Sequence, residues 1–176
     1  MTRKIEHLTH TLPIFINDDS KVLILGSFPS VKSREVMFYY GHPQNRFFKV
    51  LTKVFNDDSS IDTIEERKAF LLKHKIALYD VIEECDISGS ADSSIKNVKP
   101  ADIIGILREF PLIKVIGITG GKAKKLFDKY ILNKIDLTKV KVVYLPSSSP
   151  ANAKMSIEAL AESYKSLFVI IKWSVL

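Results

Sequence analysis

Three polar segments of the chain contain the side chains that could do chemistry. Residues 26–30 have the sequence GSFPS, residues 41–45 have GHPQN, and residues 146–153 have PSSSPANA. A carboxamide such as Asn45 can accept a hydrogen bond from a water or a base N–H and can also donate to a carbonyl oxygen. Serine hydroxyls and backbone N–H groups beside a helix start suit the oxygens of a phosphate. These residue types make the three segments candidates for one ligand-binding or catalytic site.

The first polar segment follows a strand that the sequence predicts to be fully buried. Residues 22–25 (VLIL) form an apolar run that Gly26 halts, which is typical of a strand covered on both faces of a parallel sheet. Residues 76–82, 114–118 and 140–145 are predicted strands of the same sheet. Helical patterns alternate with them, so we predict a three-layer α/β/α sandwich with a central, mainly parallel four-stranded sheet. Ligands of such sheets bind outside the carboxyl ends of the strands, so the polar segments are expected to meet at one crevice.

Apolar residues at helical spacing predict the outer layers of this sandwich. The predicted helices cover residues 45–55, 63–74, 101–110, about 154–171, and a segment that runs from just after Gly121 to Leu132. Residues 85–100 are long and polar. We predict that they form a loop after the second strand and a second wall of the crevice.

Composition narrows the class of protein. A chain of 176 residues with 46% hydrophobic content suits one compact core, so we predict a single domain over residues 1–176. The net charge of +6 favours an anionic partner but is common among ordinary enzymes. The single cysteine, Cys85, excludes an internal disulfide and a multi-cysteine metal site. The N-terminus lacks the apolar core of a signal peptide and no run suits a membrane span, so we expect a cytoplasmic protein.

Together, the three polar segments resemble a signature of the uracil-DNA glycosylase superfamily. GSFPS, YYGHPQNRFFKVL and LPSSSPANA are most similar to its hypoxanthine-DNA (deoxyinosine) glycosylase branch and to the mismatch-specific uracil/thymine glycosylases, over roughly residues 22–153. DVIEEC followed by GSADSSI also looks like the former branch. The resemblance implies a monofunctional DNA glycosylase that flips hypoxanthine and/or uracil out of double-stranded DNA and hydrolyses its N-glycosidic bond. It implies no metal and no organic cofactor, and we expect a monomer.

The resemblance assigns Asn45 and Ser27 to the catalytic positions. The asparagine of the HPxN motif belongs to the base pocket of the family, and Ser27 stands where many relatives have Asp, Glu or Asn to hold the attacking water. A serine hydroxyl is a poor base at neutral pH, so catalysis would depend mainly on dissociative departure of the base, with water oriented by Ser27, backbone carbonyls or Asn45. Asn45 could instead only cap the following helix, and Ser27 could only satisfy turn backbone. Asp92 is a weaker alternative base, because nothing in the sequence indicates its burial.

Three further residues are expected to bind the base. Tyr40 occupies the place where mismatch-specific relatives hold an aromatic ring against the flipped base, and Phe28 lies in the adjacent loop. Aromatic stacking suits every base, so these rings would hold a base without identifying it. Tyr40 could equally be a core residue. His42 is a candidate contact to a phosphate or the base, although a loop histidine also serves as a structural hydrogen-bond partner.

The C-terminal polar segment is expected to pinch the DNA backbone and wedge the gap left by the flipped base, as it does in relatives; it could also be a turn that caps the final helix. The predicted DNA contacts are Pro29, Ser30, Ser147, Ser148, Ser149, Asn152 and Lys154. Many relatives have a histidine or asparagine where this segment begins, but here Leu145 and Pro146 stand there. Stabilisation of the leaving base is therefore unassigned, with Asn152 or a serine as candidates. Other lysines could add sequence-independent affinity for phosphate, namely Lys96, Lys99, Lys122, Lys124 and Lys125.

Two other functions are compatible with the sequence. The replacement of an acidic residue or amide by Ser27 suits a protein that binds DNA lesions on the same scaffold without cleaving them. The serine-rich loops would also suit an unrelated α/β hydrolase that acts on nucleotides or small phosphate esters. No dinucleotide-binding fingerprint, P-loop or G-x-S-x-G elbow is present to favour another class of enzyme.

Overall fold

A four-stranded parallel sheet forms the centre of the computed structural model, which describes residues 4–88 and 94–173. In chain order the strands are β1 (Glu6–Thr9), β2 (Val22–Gly26), β3 (Ile76–Asp80), β4 (Ile82–Ile87), β5 (Lys96–Pro100), β6 (Val115–Thr119) and β7 (Lys141–Leu145). The helices are α1 (Val31–Val36), α2 (Phe47–Phe55), α3 (Ile64–Lys73), α4 (Ile103–Glu109), α5 (Gly121–Tyr130) and α6 (Ile157–Trp173). The central sheet has the order β3-β2-β6-β7. All four predicted strands are thus confirmed as neighbours in one parallel sheet.

Helices cover both faces of this sheet, which confirms the three-layer architecture. On one face, side chains such as Ile24 of β2 pack with α2, α3 and α6. On the other face, Leu23 and Leu25 pack with α4 and α5. Because successive strand residues point to opposite faces, the unbroken apolar run of β2 is needed to fill both layers. No helix within residues 4–88 and 94–173 is both long and apolar enough to cross a membrane.

A second sheet was not predicted from the sequence. Strands β1, β4 and β5 form an antiparallel sheet in which β4 is central. The predicted second strand ends early, because the chain bends at Val81 and β4 then leaves the central sheet. The predicted polar loop over residues 85–100 is therefore wrong at both of its ends. Its charged residues instead pair across strands, as Lys99 does with Glu84 at 2.9 Å, and this pairing hides the alternation that normally indicates a strand.

The helices begin and end close to their predicted bounds, with one addition. Helix α1 was missed because six residues are too few to show a helical period. Ser30 caps it by accepting a hydrogen bond from the backbone N–H of Ser33. At α3, Thr63 and Glu66 form a reciprocal capping box. The helix predicted to end at Leu132 ends at Tyr130 and continues as a 3₁₀ turn.

We predict that Gly117→Ala destabilises the fold. A Cβ at this position of β6 would lie 2.9 Å from Leu167 and 3.2 Å from Leu145. These side chains would have to shift, which would disturb the packing between the sheet and α6. The free energy of unfolding is expected to fall by about 1–3 kcal/mol, measured by urea denaturation. Gly121→Ala is the matched control, because a Cβ there meets nothing within 4 Å. Equal unfolding midpoints for the two variants would contradict this account of the core.

Candidate active site

A pocket of about 490 Å³ lies at the carboxyl end of the central sheet, and all four strands contribute to it. Ser27 follows β2, Asp80 ends β3, Thr119 ends β6 and Ser147 follows β7. The volume lies within the range of about 300–1,000 Å³ that is usual for small-ligand sites. The prediction that the strand ends meet at one crevice is confirmed. Of the predicted site residues, the pocket is lined by Ser27, Phe28, Pro29, Ser30, Tyr40, His42, Asn45, Ser147 and Ser149.

Asn45 is held in one orientation by two hydrogen bonds to its side-chain oxygen. The backbone N–H of Phe47, at the start of α2, donates to Asn45 Oδ1 at 2.9 Å, and the hydroxyl of Ser148 donates to the same oxygen at 2.9 Å. Only an oxygen can accept from the Phe47 N–H, so the orientation of the amide is fixed. Asn45 therefore satisfies the helix start and at the same time presents its Nδ2 donor group to the pocket. The contact at the start of α2 therefore does not prevent Asn45 from lining the pocket.

Arg46 fixes the serine loop, which we define as residues 146–153, against the start of α2. Its guanidinium donates to the backbone carbonyls of Ser149 at 3.0 Å and Asn152 at 2.8 Å, and it also donates to Ser148 and Met155. Backbone carbonyls are numerous where a loop curls around a side chain, and the fork of an arginine can bind several of them at once. The sequence analysis missed this residue, because its partners are more than one hundred positions away.

The predicted DNA contacts in and next to the serine loop differ in whether they line the pocket, support the loop or face solvent. Ser147 and Ser149 line the pocket. Ser148 is only 2% exposed and supports Asn45 from below, so the predicted phosphate contact of Ser148 does not fit its position. Asn152 Nδ2 donates to the carbonyl of Ser147 at 2.9 Å, which stabilises the shape of the loop, and Asn152 does not line the pocket. Lys154 is exposed beyond the pocket wall.

Aromatic rings form one wall of the pocket. Tyr40 stacks on Phe47 with ring centroids 3.7 Å apart, and its backbone has a φ of +53°, which is uncommon for a bulky residue. Thr119 donates its hydroxyl proton to the carbonyl of Leu25, so the Tyr40 hydroxyl is the donor in its 3.3 Å contact with Thr119. Burial raises the pKa of Tyr40 well above its ordinary value, so the phenol stays protonated. Its remaining surface borders the pocket beside Phe28.

The turn after β2 is tied to the bend after β3 through its backbone. The N–H of Val81 donates to the carbonyl of Gly26 at 2.9 Å, and the N–H of Ile82 donates to the carbonyl of Ser27 at 3.1 Å. These two bonds fix the position of the turn that contains Ser27. Ser27 itself is 9% exposed and lies in the pocket wall.

Asp80 is a pocket residue that the sequence analysis did not identify. Its carboxylate is 2.8 Å from Nε2 of His10, and both side chains are buried. A Cβ at Gly26 would lie 2.7 Å from Asp80 Oδ1, so the glycine is needed for this close approach. The sequence does place an aspartate at the carboxyl end of a predicted strand, which is a common position for a site residue. Asp80 was overlooked because it stands inside the apolar run of residues 76–82. The alternative base Asp92 lies outside the described residues.

The mouth of the pocket offers donors to a ligand. Nδ1 of the exposed His42 accepts from the backbone N–H of Gln44 at 3.1 Å, so a neutral imidazole has its proton on Nε2, where it can donate. Two of the lysines considered for a phosphate-facing rim are engaged elsewhere. Lys99 pairs with Glu83 and Glu84, and Lys124 pairs with Asp128. Cys85 is buried, which raises the pKa of its thiol and disfavours a nucleophilic role.

Comparison with known proteins places these features in a family. Residues 13–168 match the family model described as the uracil DNA glycosylase superfamily. A hypoxanthine DNA glycosylase from Methanosarcina acetivorans is 33% identical over 145 residues, which is 82% of this chain and 88% of that protein. A hypoxanthine DNA glycosylase from Methanosarcina barkeri is 31% identical over 112 residues, 63% of this chain and 70% of that protein. A solution NMR structure from Methanosarcina acetivorans, described as a candidate uracil DNA glycosylase, superposes with a TM-score of 0.74 at 26% identity, covering 93% of this chain and 99% of that one.

We predict that Arg46→Lys loosens the serine loop. An ammonium group cannot reach the several carbonyls that the guanidinium binds, and each hydrogen bond to a charged group contributes about 1.5–3 kcal/mol. Amide hydrogen exchange in residues 147–153 is expected to be about ten to one hundred times faster, which corresponds to about 1.4–2.7 kcal/mol.

Arg67→Lys is the control, because that guanidinium contacts the Ile61 carbonyl and the Phe48 ring rather than the serine loop. Unchanged exchange in residues 147–153 of the Arg46 variant would contradict the role given to Arg46.

Proposed function

We propose that this chain, which belongs to the uracil DNA glycosylase superfamily, is a DNA glycosylase that excises a deaminated base from double-stranded DNA, hypoxanthine first and uracil second. One observation supports the proposal above the others. An oriented amide, an aromatic wall and a serine loop converge on one pocket at the strand ends. The two relatives named as hypoxanthine DNA glycosylases favour hypoxanthine as the base.

The reaction requires that the base leave the helix stack. The glycosidic bond of a stacked base is out of reach, so the enzyme extrudes the nucleotide into a pocket, and the weak pairing of a deaminated base lowers the cost. The pocket is open to solvent along the loops at residues 28–30, 41–45 and 147–151, which would admit an everted nucleotide. Its aromatic wall then replaces part of the lost stacking, at about 1–3 kcal/mol per base.

The Nδ2 group of Asn45 is suited to recognise a deaminated base. Deamination of adenine replaces an amino donor with a carbonyl acceptor, and the amide that Asn45 presents to the pocket is a donor. Hypoxanthine would accept this hydrogen bond, whereas the amino group of adenine would oppose it. Uracil differs from cytosine in the same way. Asn45 therefore supplies a physical basis for choosing deaminated bases over ordinary ones.

The same donor supports departure of the base. As the N-glycosidic bond breaks, electron density accumulates on the base, and a fixed donor aimed at its carbonyl stabilises that charge. Because Phe47 and Ser148 hold the Asn45 oxygen, the donor is oriented before the substrate arrives. This assignment fills the role that the sequence left open between Asn152 and a serine.

DNA backbone contacts would surround the pocket mouth. Ser30, Ser147 and Ser149 supply hydroxyls there, and His42 supplies a ring N–H. The net charge of +6 favours association with DNA, with an affinity that falls as salt rises.

A panel of modified duplexes tests the proposal. Excess protein is incubated with duplexes that contain inosine, uracil or xanthine, and abasic sites are revealed by alkaline cleavage. We expect an abasic product from inosine. Tight binding with no product at any lesion would favour the lesion-binding alternative, and activity on free nucleosides or small phosphate esters without DNA would favour the hydrolase alternative.

Asn45→Ala is expected to depress turnover more than DNA binding. Loss of one oriented donor to a developing charge costs about 10²–10³ in rate, so single-turnover excision of hypoxanthine should fall by about that factor. Gln44→Ala is the matched control, because this exposed neighbour does not line the pocket. An Asn45→Ala variant as fast as the parent would refute the assignment.

Lys154→Ala is expected to weaken DNA binding without a large change in excision at saturating protein. Loss of one phosphate contact should lower the slope of log affinity against log salt by about 1. Lys139→Ala is the control, since Lys139 lies just before β7, at the end of the sheet remote from the pocket. Identical salt slopes for both variants would remove Lys154 from the DNA interface.

A further inference from the structure

Hydrolysis of a glycosidic bond needs negative charge near the sugar as well as a donor near the base. Departure of the base leaves an oxocarbenium-like sugar, which a carboxylate can stabilise and which a water must then attack. Ser27 provides neither a charge nor a strong base. Another group on the pocket wall must therefore supply the negative charge. Among the described residues that line the pocket, Asp80 is the carboxylate.

The Asp80 carboxylate has one oxygen that is held and one that is available. Oδ2 is 2.8 Å from His10 Nε2, whereas Oδ1 accepts no hydrogen bond from residues 4–88 or 94–173. Oδ1 lies against Gly26, at the point where β2 ends and the pocket begins. The residue is 5% exposed, so a carboxylate is desolvated on the pocket wall where charge has a large effect.

His10 is surrounded by aromatic rings, and the one hydrogen bond of its side chain with the described residues is the contact with Asp80. Its side chain is fully buried, and its ring lies against Phe28, Tyr39 and Tyr79 with centroid separations of 4.7–6.2 Å. Nδ1 is buried and has no hydrogen-bond partner within the described ranges. Because Nδ1 has no acceptor, the ring N–H that has a partner is the one on Nε2, and it is directed at Asp80.

No lysine or arginine among the described residues pairs with Asp80, and His10 is its sole basic partner there. The negative charge of Asp80 contributes, after burial, to raising the pKa of Tyr39 and Tyr40. A buried carboxylate that has no lysine or arginine partner is costly to the fold, and such groups are concentrated at functional sites.

We infer that Asp80 is a catalytic residue, which stabilises the sugar cation and orients the attacking water through Oδ1, and that His10 is its positioning residue. The inference rests on the proposed glycosylase function. The bond from C1′ to the base breaks and its electron pair leaves with the base. The water oxygen bonds to C1′, its proton passes to Asp80 and then to solvent, and the base takes a proton from solvent. The net reaction adds one water and needs no further reactant.

Asp80→Asn tests the charge directly. Asparagine keeps the size of the side chain and can still accept from His10 through its oxygen, but it removes the negative charge. Single-turnover excision of hypoxanthine is expected to fall by about 10²–10⁴-fold, with affinity for the lesion duplex within a few-fold of the parent.

Asp57→Asn is the matched control. Asp57 forms a partly buried carboxylate–imidazole contact, 2.6 Å from His74 Nε2, and it does not line the pocket. Its substitution is expected to alter stability but not the excision rate. An Asp80→Asn variant that excises at the parent rate, or that is impaired no more than Asp57→Asn, would overturn the inference.

A binding measurement tests the same charge without turnover. The parent is expected to bind a duplex with a cationic pyrrolidine in place of the target sugar at least tenfold more tightly than a duplex with neutral tetrahydrofuran. Asp80→Asn should abolish this preference and leave the affinity for tetrahydrofuran unchanged. An equal preference in both proteins would overturn the role of Asp80.

Two substitutions test the positioning role of His10. Glutamine can place an amide N–H near the position of His10 Nε2, whereas phenylalanine fills the space but has no donor. We expect His10→Phe to lower the excision rate and the pyrrolidine preference together, and His10→Gln to restore most of both. Equal rates and equal preferences in the two variants would contradict the positioning role.

The outcomes separate this inference from the proposed function. A parent protein that yields no abasic product from any lesion duplex and shows no preference for the pyrrolidine duplex overturns both. An active parent with an equally active Asp80→Asn variant overturns only the inference.

Discussion

The parallel pairing of β2 with both β3 and β6 is the interaction on which the site depends. This pairing places Gly26 beside Asp80, and the further pairing of β6 with β7 places Thr119 beside Leu145. Because the strands point the same way, their carboxyl ends lie at one edge, and segments far apart in sequence meet there. The burial of β2 on both faces fixes its register, since a slip by one residue would exchange the side chains that fill the two layers.

Polar contacts within the loops then set the chemistry of that edge. The start of α2 orients the amide of Asn45, while Arg46 holds the serine loop that supplies Ser148 to the same amide. One junction thus fixes both the base-facing donor and the loop expected to face DNA. Elsewhere in the pocket lining, the N-terminal segment brings His10 to the carboxylate of Asp80. A donor near the base and a negative charge near the sugar are the two electrostatic requirements of glycosidic hydrolysis.

The sequence predicts the parts of this arrangement that depend on local pattern. Apolar runs identify the central strands, and motif spacing identifies Asn45 and the serine loop. Strands β4 and β5 escape prediction, because their charged residues are stabilised by partners on other strands rather than by burial. Arg46 stands beside Asn45 in the chain, yet its role depends on distant carbonyls. Asp80 and His10 are seventy positions apart, and nothing in either local sequence indicates that they touch.

The central claim is that an everted nucleotide occupies the pocket at the strand ends. A crystal structure with a duplex that contains a non-hydrolysable deoxyinosine analogue, fluorinated at the sugar, tests it most directly. The account predicts that the base is out of the stack and lies against Tyr40. Its ring carbonyl should lie within hydrogen-bond distance of Asn45 Nδ2, and C1′ should face Asp80. An analogue that stays stacked in the duplex, or a base that sits outside this pocket, would contradict it.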